Sequence, residues 1–260
     1  MQLKDFIPNI DKKFKRFFFS GISFDSTKVK KNDIFFAIKG SKIDGNDFIS
    51  DAIKRGAKII VTEKKVKKLK NGILFIYTEN IRKLLAEISF KIYKKKPKNL
   101  IAVTGTNGKS SVANFYHQIL SLNKKKVASI GTLGVKSKDV NLNLSNTTID
   151  PIQLGQILSS LKNKKINNVI MEASSHGLKQ NRLDGLKFST AIFTNLSQDH
   201  LDYHKNLNNY LNAKLYLFKN LLKKRGSVIT DGEIPQFKKI KNISIKNNFK
   251  LLTLKNKKNN

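Results

Sequence analysis

The amino-acid sequence predicts an α/β protein with a small first domain and a second domain built on a mostly parallel sheet. Short apolar strands alternate with helical segments along the chain, and one strand runs through a glycine-containing turn directly into a helix. With 260 residues, of which 39% are hydrophobic, the chain can bury one large core or two smaller ones. A disordered polymer is therefore excluded.

In the first part of the chain, strands are predicted over residues 58–62 and 73–76. A helix is predicted from about residue 81 to residue 93, because leucine and isoleucine recur there at helical spacing. Two strands and a helix are enough for a small α/β layer.

The lysine-rich run 94–99 interrupts this pattern. Pro97 ends the helix, and the neighbouring charges favour a solvated segment. We therefore predict a domain boundary here, with one domain over residues 1–97 and a second over residues 98–260.

The second domain repeats the alternation of strands and helices. The expected elements are strands at 100–104, 127–130, 168–172 and 189–195, and helices at 110–122, 151–162 and 206–222. Strands that alternate with helices favour a parallel sheet covered on both faces.

The turn after the first of these strands has the composition of a phosphate-binding loop. Between Gly105 and Ser111, backbone N–H groups and the positive end of a helix converge, which stabilises an anion. Lys109 could reach β- and γ-phosphates, and the Ser110 hydroxyl could ligate Mg²⁺. The match to the common P-loop pattern is imperfect, because its first glycine falls on Val103; a glycine-rich turn with a chance lysine is the alternative.

Composition excludes several classes of protein. The chain contains no cysteine, so disulfides, thiolate metal sites and cysteine nucleophiles are ruled out. No apolar run approaches the length of a membrane helix, and the N-terminus does not resemble a signal peptide. We therefore expect a soluble cytoplasmic protein.

The charge has two interpretations. Lys and Arg number 51 against 18 acidic residues, for a net charge of +33, which could indicate a nucleic-acid or anionic-membrane partner. Only five of these cations are arginines, however, and abundant Lys, Asn and Ile together are typical of an AT-rich genome. In either case, a positive field favours small ligands that carry phosphate.

Two further groups could carry chemistry. Glu172 ends an apolar strand, where α/β folds place their sites, although it could also be a solvent-exposed carboxylate. His200 and His204 lie four residues apart and could share a metal or belong to a polar turn. Their spacing lacks the H-E-x-x-H pattern, which disfavours a zinc protease.

Several segments, in order, resemble the Mur ligases of peptidoglycan synthesis, and among them the MurE family. They are residues 104–110 (TGTNGKS), 171–178 (MEASSHGL) and 193–204 (FTNLSQDHLDYH), with Asp25–Ser26, 33–40 and Asp44–Gly45 in the first domain. The likeness extends from about residue 20 to about residue 232, so it covers most of both predicted domains.

This resemblance implies an ATP-dependent amide ligase. The free carboxylate of UDP-MurNAc-L-Ala-D-Glu would attack the γ-phosphate of ATP to give an acyl phosphate and ADP. The amine of a diamino acid, which we expect to be meso-2,6-diaminopimelate, would then displace phosphate. Because two anions must meet, Mg²⁺ and protein cations are needed to offset their repulsion.

The resemblance also implies residue roles. Catalytic roles fall on Lys109, Glu172, His200 and Lys214. The ATP loop comprises Gly105, Thr106, Asn107, Gly108, Lys109, Ser110 and Ser111. Mg²⁺ would be held by Ser110, Glu172, His200 and Lys214, the last converted by CO₂ to N6-carboxylysine. The UDP substrate would contact Phe24, Ser26, Asn146, Thr147, Thr148, Ser174, Gln180 and Arg182, with residues 41–43 beside the uracil.

The sequence departs from the family pattern at three points. Thr27 replaces a common arginine, and Ile149 replaces a common proline. The Asp-Asn-Pro-Arg-type segment of the C-terminal, amino-acid-binding domain has no counterpart, so we expect that domain to be absent. The chain would then bind ATP·Mg²⁺ and the UDP substrate without completing the amide, unless another chain supplies the domain.

Two other functions remain as alternatives. Folylpolyglutamate synthase or another Mur ligase would use the same scaffold, although the first domain disfavours folate. A non-enzymatic nucleic-acid binder would explain the charge, but the sequence lacks interleaved aromatic and basic residues of the RNA-binding kind. We therefore expect neither a nucleic-acid nor a membrane partner.

Overall fold

The computed structural model describes residues 1–7 and 10–254. The chain divides into two units, Met1–Ile92 and Tyr93–Asn260. The division lies slightly before Pro97, the residue at which the sequence pattern changes, because the last helix of the first unit already ends at Ile92.

The first unit contains a five-stranded sheet and two helices. The strands are β1 (Ile22–Ser23), β2 (Ile34–Phe36), β3 (Ile59–Thr62), β4 (Leu69–Lys70) and β5 (Ile73–Tyr77), and the helices are α1 (Ile49–Lys54) and α2 (Ile81–Ile92). The strand order is β1-β2-β3-β5-β4, parallel except for the β4–β5 pair. Phe35 and Ile60 pack with Ala52 of α1 in its core.

The second unit contains an eight-stranded sheet. Its strands are β6 (Asn99–Thr104), β7 (Val127–Gly131), β8 (Gly134–Ser137), β9 (Asn141–Leu142), β10 (Asn168–Glu172), β11 (Phe188–Phe193), β12 (Leu222–Asp231) and β13 (Lys250–Leu254). The order is β13-β12-β11-β6-β10-β7-β8-β9; all neighbours are parallel except the β7–β8 and β8–β9 pairs.

Six helices accompany this sheet. They are α3 (Lys109–Leu122), α4 (Pro151–Asn163), α5 (Ser175–Lys179), α6 (Leu201–His204), α7 (Leu207–Tyr216) and α8 (Phe237–Lys246). Asp150 starts α4 by accepting hydrogen bonds from two backbone N–H groups, and Pro151 occupies its first turn. Across the described ranges, none of the helices has the length and apolarity needed to span a bilayer.

Strands β6 and β10 lie at the centre of the sheet. Val103 and Ile170 are fully buried and pack with Ala113 of α3. Such continuously apolar strands are typical of parallel sheets covered on both faces. As a result, the carboxyl ends of β6, β7 and β10 meet at one edge of the sheet.

The structure corrects two predicted elements. The helix expected over 206–222 is α7 only as far as Tyr216; Leu217–Leu221 then forms a π-helical turn, and β12 begins at Leu222. The π-turn continues the apolar periodicity, so the sequence pattern does not reveal the change. The predicted strand 189–195 also ends earlier, at Phe193.

Candidate active site

A cavity of about 380 Å³ lies at the edge of the sheet where β6, β7 and β10 end. The four residues predicted to be catalytic, Lys109, Glu172, His200 and Lys214, all line it. The other lining residues are Thr106, Asn107, Gly108, Ser110, Ser111, Thr132, Thr147, Ser174, Ser175 and Tyr210. Residues from six separate segments of the chain therefore line one space.

The loop between β6 and α3 depends on two glycines. Gly105 has φ +154°, and a Cβ at this position would collide with the Thr194 hydroxyl. Gly108 precedes α3 in the left-handed conformation, with φ +81°. Glycine adopts such backbone conformations without the steric penalty of a side chain.

The segment after β11 holds this loop in place. The Asn107 N–H donates to Asn195 Oδ1 at 2.9 Å, and the Thr106 N–H donates to the Asn195 carbonyl at 3.0 Å. The Thr194 hydroxyl donates to the Asn107 carbonyl at 2.6 Å. The loop is thus preformed, with the N-terminus of α3 behind it.

Lys109 folds back onto this loop. Its Nζ donates to the carbonyls of Gly105 and Thr106, at 3.0 and 2.7 Å. Burial lowers the pKa of Lys109, while Glu172 and Asp199 oppose that shift. The side chain therefore brings a positive charge to the cavity, where an anion would be attracted to it.

Glu172 is almost fully buried, with 3% exposure, and its carboxylate has three neighbours at the floor of the cavity. The Ser110 hydroxyl donates to Oε2 at 2.9 Å, and the Thr132 N–H donates to Oε1 at 2.9 Å. A Cβ on Gly131 would collide with this carboxylate. The close approach between β7 and Glu172 consequently requires glycine at position 131.

Lys214 is a buried amine, with 1% exposure. Its Nζ donates to the Gly105 carbonyl at 2.6 Å and lies 4.2 Å from the centre of the Tyr210 ring. Burial lowers the pKa of Lys214 to about 7, and Lys109 adds to the shift, whereas Asp199 opposes it. A substantial fraction of this amine is therefore neutral near pH 7.

The two histidines of the 193–204 segment have different surroundings. His200 lines the cavity, and its Nε2 lies 3.4 Å from Asp199 Oδ2. His204 is buried, and its Nε2 lies 3.0 Å from Ser175 Oγ. Burial, followed by His176 and Lys214, lowers the pKa of His204 to about 4. Over the described part of the chain, no three His, Cys, Asp or Glu side chains form a metal-binding group.

The predicted substrate residues of this unit fall into three sets. Thr147 and Ser174 line the cavity, whereas Asn146 is exposed and contacts the neighbouring Ser145 hydroxyl. The others form a network: the Thr148 hydroxyl donates to the Glu172 carbonyl at 2.9 Å, and Arg182 donates to Gln180 Oε1 and to the Thr148 carbonyl.

The oxygen donors at the cavity floor fit Mg²⁺. Ser110 and Thr132 offer hydroxyl oxygens beside the Glu172 carboxylate, and Mg²⁺ prefers such hard oxygen ligands with few protein carboxylates. Lys214 as an amine is not such a ligand. Its conversion to a carbamate would add a second anionic group.

In the first unit, the two predicted substrate residues lie next to a capped turn. Phe24 is 41% exposed, and Ser26 begins the turn Ser26–Lys28. Asp25 caps this turn by accepting hydrogen bonds from the Thr27 N–H and hydroxyl, at 3.0 and 2.7 Å. Thr27 therefore serves the turn itself. In the nearby 41–43 segment, Ile43 is 63% exposed.

Sequence reasoning did not identify Thr132, Ser175, His176 or Tyr210. Thr132 directly follows β7, so the rule that identified Glu172 at the end of β10 could have found it. His176 stacks at 4.2 Å on Tyr203 and at 4.9 Å, edge-on, against His200. No local pattern indicates that packing, because it joins α5 to a distant segment.

Comparisons with known proteins agree with this geometry. Residues 103–260 match the Mur ligase middle domain, and residues 19–95 match the model described as the Mur ligase family, catalytic domain. The chain is 43% identical, over 253 residues, to a UDP-N-acetylmuramoyl-L-alanyl-D-glutamate--2,6-diaminopimelate ligase of Rickettsia typhi, covering 95% of this chain and 50% of the relative. The ligase of that name from Brucella melitensis is 42% identical, covering 81% and 43%.

Solved structures give the same result. One of a UDP-N-acetylmuramoyl-L-alanyl-D-glutamate--2,6-diaminopimelate ligase superposes with a TM-score of 0.84 at 30% identity, covering 99% of this chain and 53% of the other. MurF ligase from Thermotoga maritima, solved with ADP, shares the fold at a TM-score of 0.55 and 21% identity, covering 89% and 49%. The chain spans about half the length of the curated relatives it matches.

Proposed function

The chain belongs to the Mur ligase family, and we propose that it takes part in the ATP-dependent ligation of 2,6-diaminopimelate to UDP-N-acetylmuramoyl-L-alanyl-D-glutamate, the reaction for which its relatives are named. The observation that carries this proposal is the convergence of Lys109, Glu172, His200 and Lys214 on one cavity beside a preformed glycine loop. An ATP-dependent ligase needs such a site, because it must bring a nucleotide phosphate and a substrate carboxylate together.

The loop from Gly105 to Ser111 would hold the phosphates of ATP. Its N–H groups and the N-terminus of α3 favour an anion, and Lys109 would exchange two carbonyl partners for phosphate oxygens. In the free protein, the Lys109 ammonium group donates to two neutral carbonyl groups. Phosphate oxygens would give it an anionic partner instead. Nucleotide binding should therefore depend strongly on Lys109.

Ser110 and Glu172 would hold Mg²⁺, with His200 and modified Lys214 at a second cation position. The bound cation would offset the charge that builds up between the phosphate and carboxylate oxygens. The short Ser110–Glu172 contact and the buried carboxylate support this assignment.

In the proposed first step, a carboxylate oxygen of the substrate attacks the γ-phosphorus, the bond to the β,γ-bridging oxygen breaks, and ADP leaves. In the second step, the neutral amine of diaminopimelate attacks the acyl carbon. The carbon–oxygen bond to phosphate then breaks, phosphate leaves, and the nitrogen loses a proton. Lys109 is placed to compensate negative charge in the first step.

Lys214 has the properties required for carbamylation. Its neutral Nζ would attack CO₂, form an N–C bond and release one proton, leaving a carboxylate-like group. The lowered pKa supplies the neutral amine, and burial limits the hydrolysis of the product. Incubation with ¹³C-bicarbonate should give a carbamate carbon resonance that Lys214→Met eliminates and Lys28→Met retains.

Each unit offers residues of its own for the UDP substrate. Thr147 and Ser174 lie at the cavity, and Arg182 is fixed by Gln180 and Thr148. In the first unit, the exposed Phe24 ring and the capped Ser26 turn offer a stacking surface and hydrogen bonds for the nucleotide end.

Trapping the acyl phosphate tests the proposal. The purified chain is incubated with ATP, Mg²⁺, the UDP substrate and hydroxylamine, and we expect a substrate hydroxamate with equal amounts of ADP and phosphate. Lys109→Met should reduce this yield about 100-fold or more, whereas Lys83→Met, at an exposed lysine of α2, should not change it. Absence of hydroxamate, together with calorimetry that detects no binding of Mg·ADP, would refute the proposal.

A further inference from the structure

Thr132 connects the two ends of the cavity. Its backbone N–H donates to Glu172 Oε1 at 2.9 Å, and its hydroxyl lies 3.4 Å from Glu172 Oε2 and 2.9 Å from the Thr147 hydroxyl. Glu172 belongs to the proposed cation end, and Thr147 to the proposed substrate end. Thr132 is the residue whose side chain contacts both.

The protons of this contact can be counted. Each threonine hydroxyl carries one hydrogen. Glu172 Oε2 accepts the Ser110 hydroxyl at 2.9 Å and, without a cation, keeps a second lone pair to which the Thr132 hydrogen can point across 3.4 Å. The Thr147 hydrogen then points to Thr132. In this arrangement, Thr147 presents oxygen lone pairs to the cavity and can only accept a hydrogen bond there.

A cation on Glu172 Oε2 would reverse the direction of the hydrogen bond between Thr132 and Thr147. It would occupy the lone pairs of the carboxylate oxygen, so the Thr132 hydrogen would turn to the nearer acceptor, Thr147 Oγ1. The Thr147 hydrogen would then point into the cavity. Thr147 would become a donor, which is the role that an anionic ligand requires.

We propose that Thr132 is a positioning residue that couples cation binding at Glu172 to anion binding at Thr147. The proposal rests on the proposed function for the identity of the two ligands, Mg·nucleotide and the carboxylate-bearing UDP substrate. It goes beyond that function because it makes the affinity for one ligand depend on the other through a single hydroxyl. We expect Mg·nucleotide to tighten substrate binding about 5- to 10-fold, which is within the usual range of such couplings.

Calorimetry with a non-hydrolysable Mg·ATP analogue tests this coupling. The dissociation constant of UDP-MurNAc-L-Ala-D-Glu is measured with and without the analogue, for the wild-type chain and for Thr132→Val. Valine keeps the shape and the backbone N–H bond to Glu172 but lacks the hydroxyl. We expect the enhancement to disappear in Thr132→Val when the substrate titration is made with the site saturated by the Mg·analogue, whatever the affinity of this variant for the analogue alone.

Two variants separate the relay from packing. Thr132→Ser keeps the hydroxyl and should retain the enhancement, although it loses a methyl group. Thr253→Val removes an exposed hydroxyl of β13, outside the cavity lining, and should behave as the wild type.

The outcomes are distinguishable. A Thr132→Val chain that keeps the full enhancement would overturn the relay, and so would a Thr132→Ser chain that loses as much as the valine variant. A wild-type chain that binds both ligands without any enhancement would also overturn it, while leaving the proposed function intact. A wild-type chain that binds neither ligand would overturn both.

Discussion

The two units of the chain differ in how they hold most of their charged side chains, although the first unit also buries Asp33, which has 5% exposure and accepts a hydrogen bond from the Lys30 N–H at 2.9 Å. In the first unit, lysine–aspartate pairs such as Lys28–Asp25 and Lys68–Asp11 lie in solvent, at 3.2 and 2.8 Å. In the second, Glu172 and Lys214 are almost fully buried, with 3% and 1% exposure. Within the described residues, neither of these two buried groups forms an ion pair.

Exposed ion pairs and buried charged groups contribute differently to the stability of the fold. Exposed pairs contribute little to stability, because water screens them. A buried, unpaired amine lowers stability, and the lowered pKa of Lys214 expresses that cost. A fold keeps such a group where a ligand or a modification compensates for it, so we expect the chemistry to take place in the second unit.

Removing the buried carboxylate should have the largest effect. Glu172→Gln keeps the size of the side chain but removes its negative charge. Hydroxamate formation should fall about 100- to 1,000-fold, because the proposed cation ligand is lost. The matched control is Glu79→Gln, at an exposed carboxylate of the first unit, which should leave the rate unchanged. If hydroxamate formation by Glu172→Gln fell less than tenfold, the proposed difference between the two units would be contradicted.

Replacing the buried amine should raise stability while removing activity. Lys214→Met should increase the free energy of unfolding at pH 7 by about 1–3 kcal/mol, measured by urea titration in CO₂-free buffer. The folded-state pKa of about 7 lies below the ordinary 10.5, so the gain is complete below pH 7 and shrinks as pH rises toward 10.5. Lys28→Met should change the free energy of unfolding by less than about 0.5 kcal/mol. If Lys28→Met raised stability as much as Lys214→Met, the difference between exposed and buried lysines would be contradicted.

His204 should make the second unit sensitive to acid. Its folded-state pKa of about 4 lies below the ordinary 6.5, so protonation favours the unfolded chain as pH falls from 6.5 to 4. We expect this residue to account for about 1–2 kcal/mol of the stability lost over that range. Unfolding curves of His204→Phe should have a correspondingly smaller pH slope, and parallel slopes would refute the expectation.

The surface pair should show the smallest effect. Lys68 lowers the pKa of Asp11 through a hydrogen bond, but both side chains are largely in solvent. Asp11→Asn should leave the free energy of unfolding almost unchanged, and any small difference should vanish in 1 M salt. A large loss of stability that does not depend on salt would show that the exposed Asp11–Lys68 pair stabilises the first unit, and would contradict the contrast between the two units.

The sequence predicted the parts of this site that are local in the chain. The strand–turn–helix from β6 to α3 follows from periodicity and glycine placement, and Glu172 follows from its position at the end of β10. Both are short-range patterns, and the parallel sheet brings them together by a general rule.

Features that depend on contacts between distant segments could not be predicted from such local sequence patterns. Lys214 is one lysine among many; its burial arises because α7 lies against the Gly105 loop, 109 residues away in sequence. Only the family resemblance singled it out. The start of β12 was missed for a related reason, since Lys223, Lys224 and Arg225 give this strand a loop-like composition.

The glycine beside Glu172 has a genetic consequence. Every amino-acid change reachable from the codon of Gly131 adds at least a Cβ, which would push against the carboxylate. Gly131 is buried and lies outside the cavity lining, so such a mutation would act on the cavity only by displacing Glu172. Variants resistant to an inhibitor bound in the cavity should therefore arise at other positions.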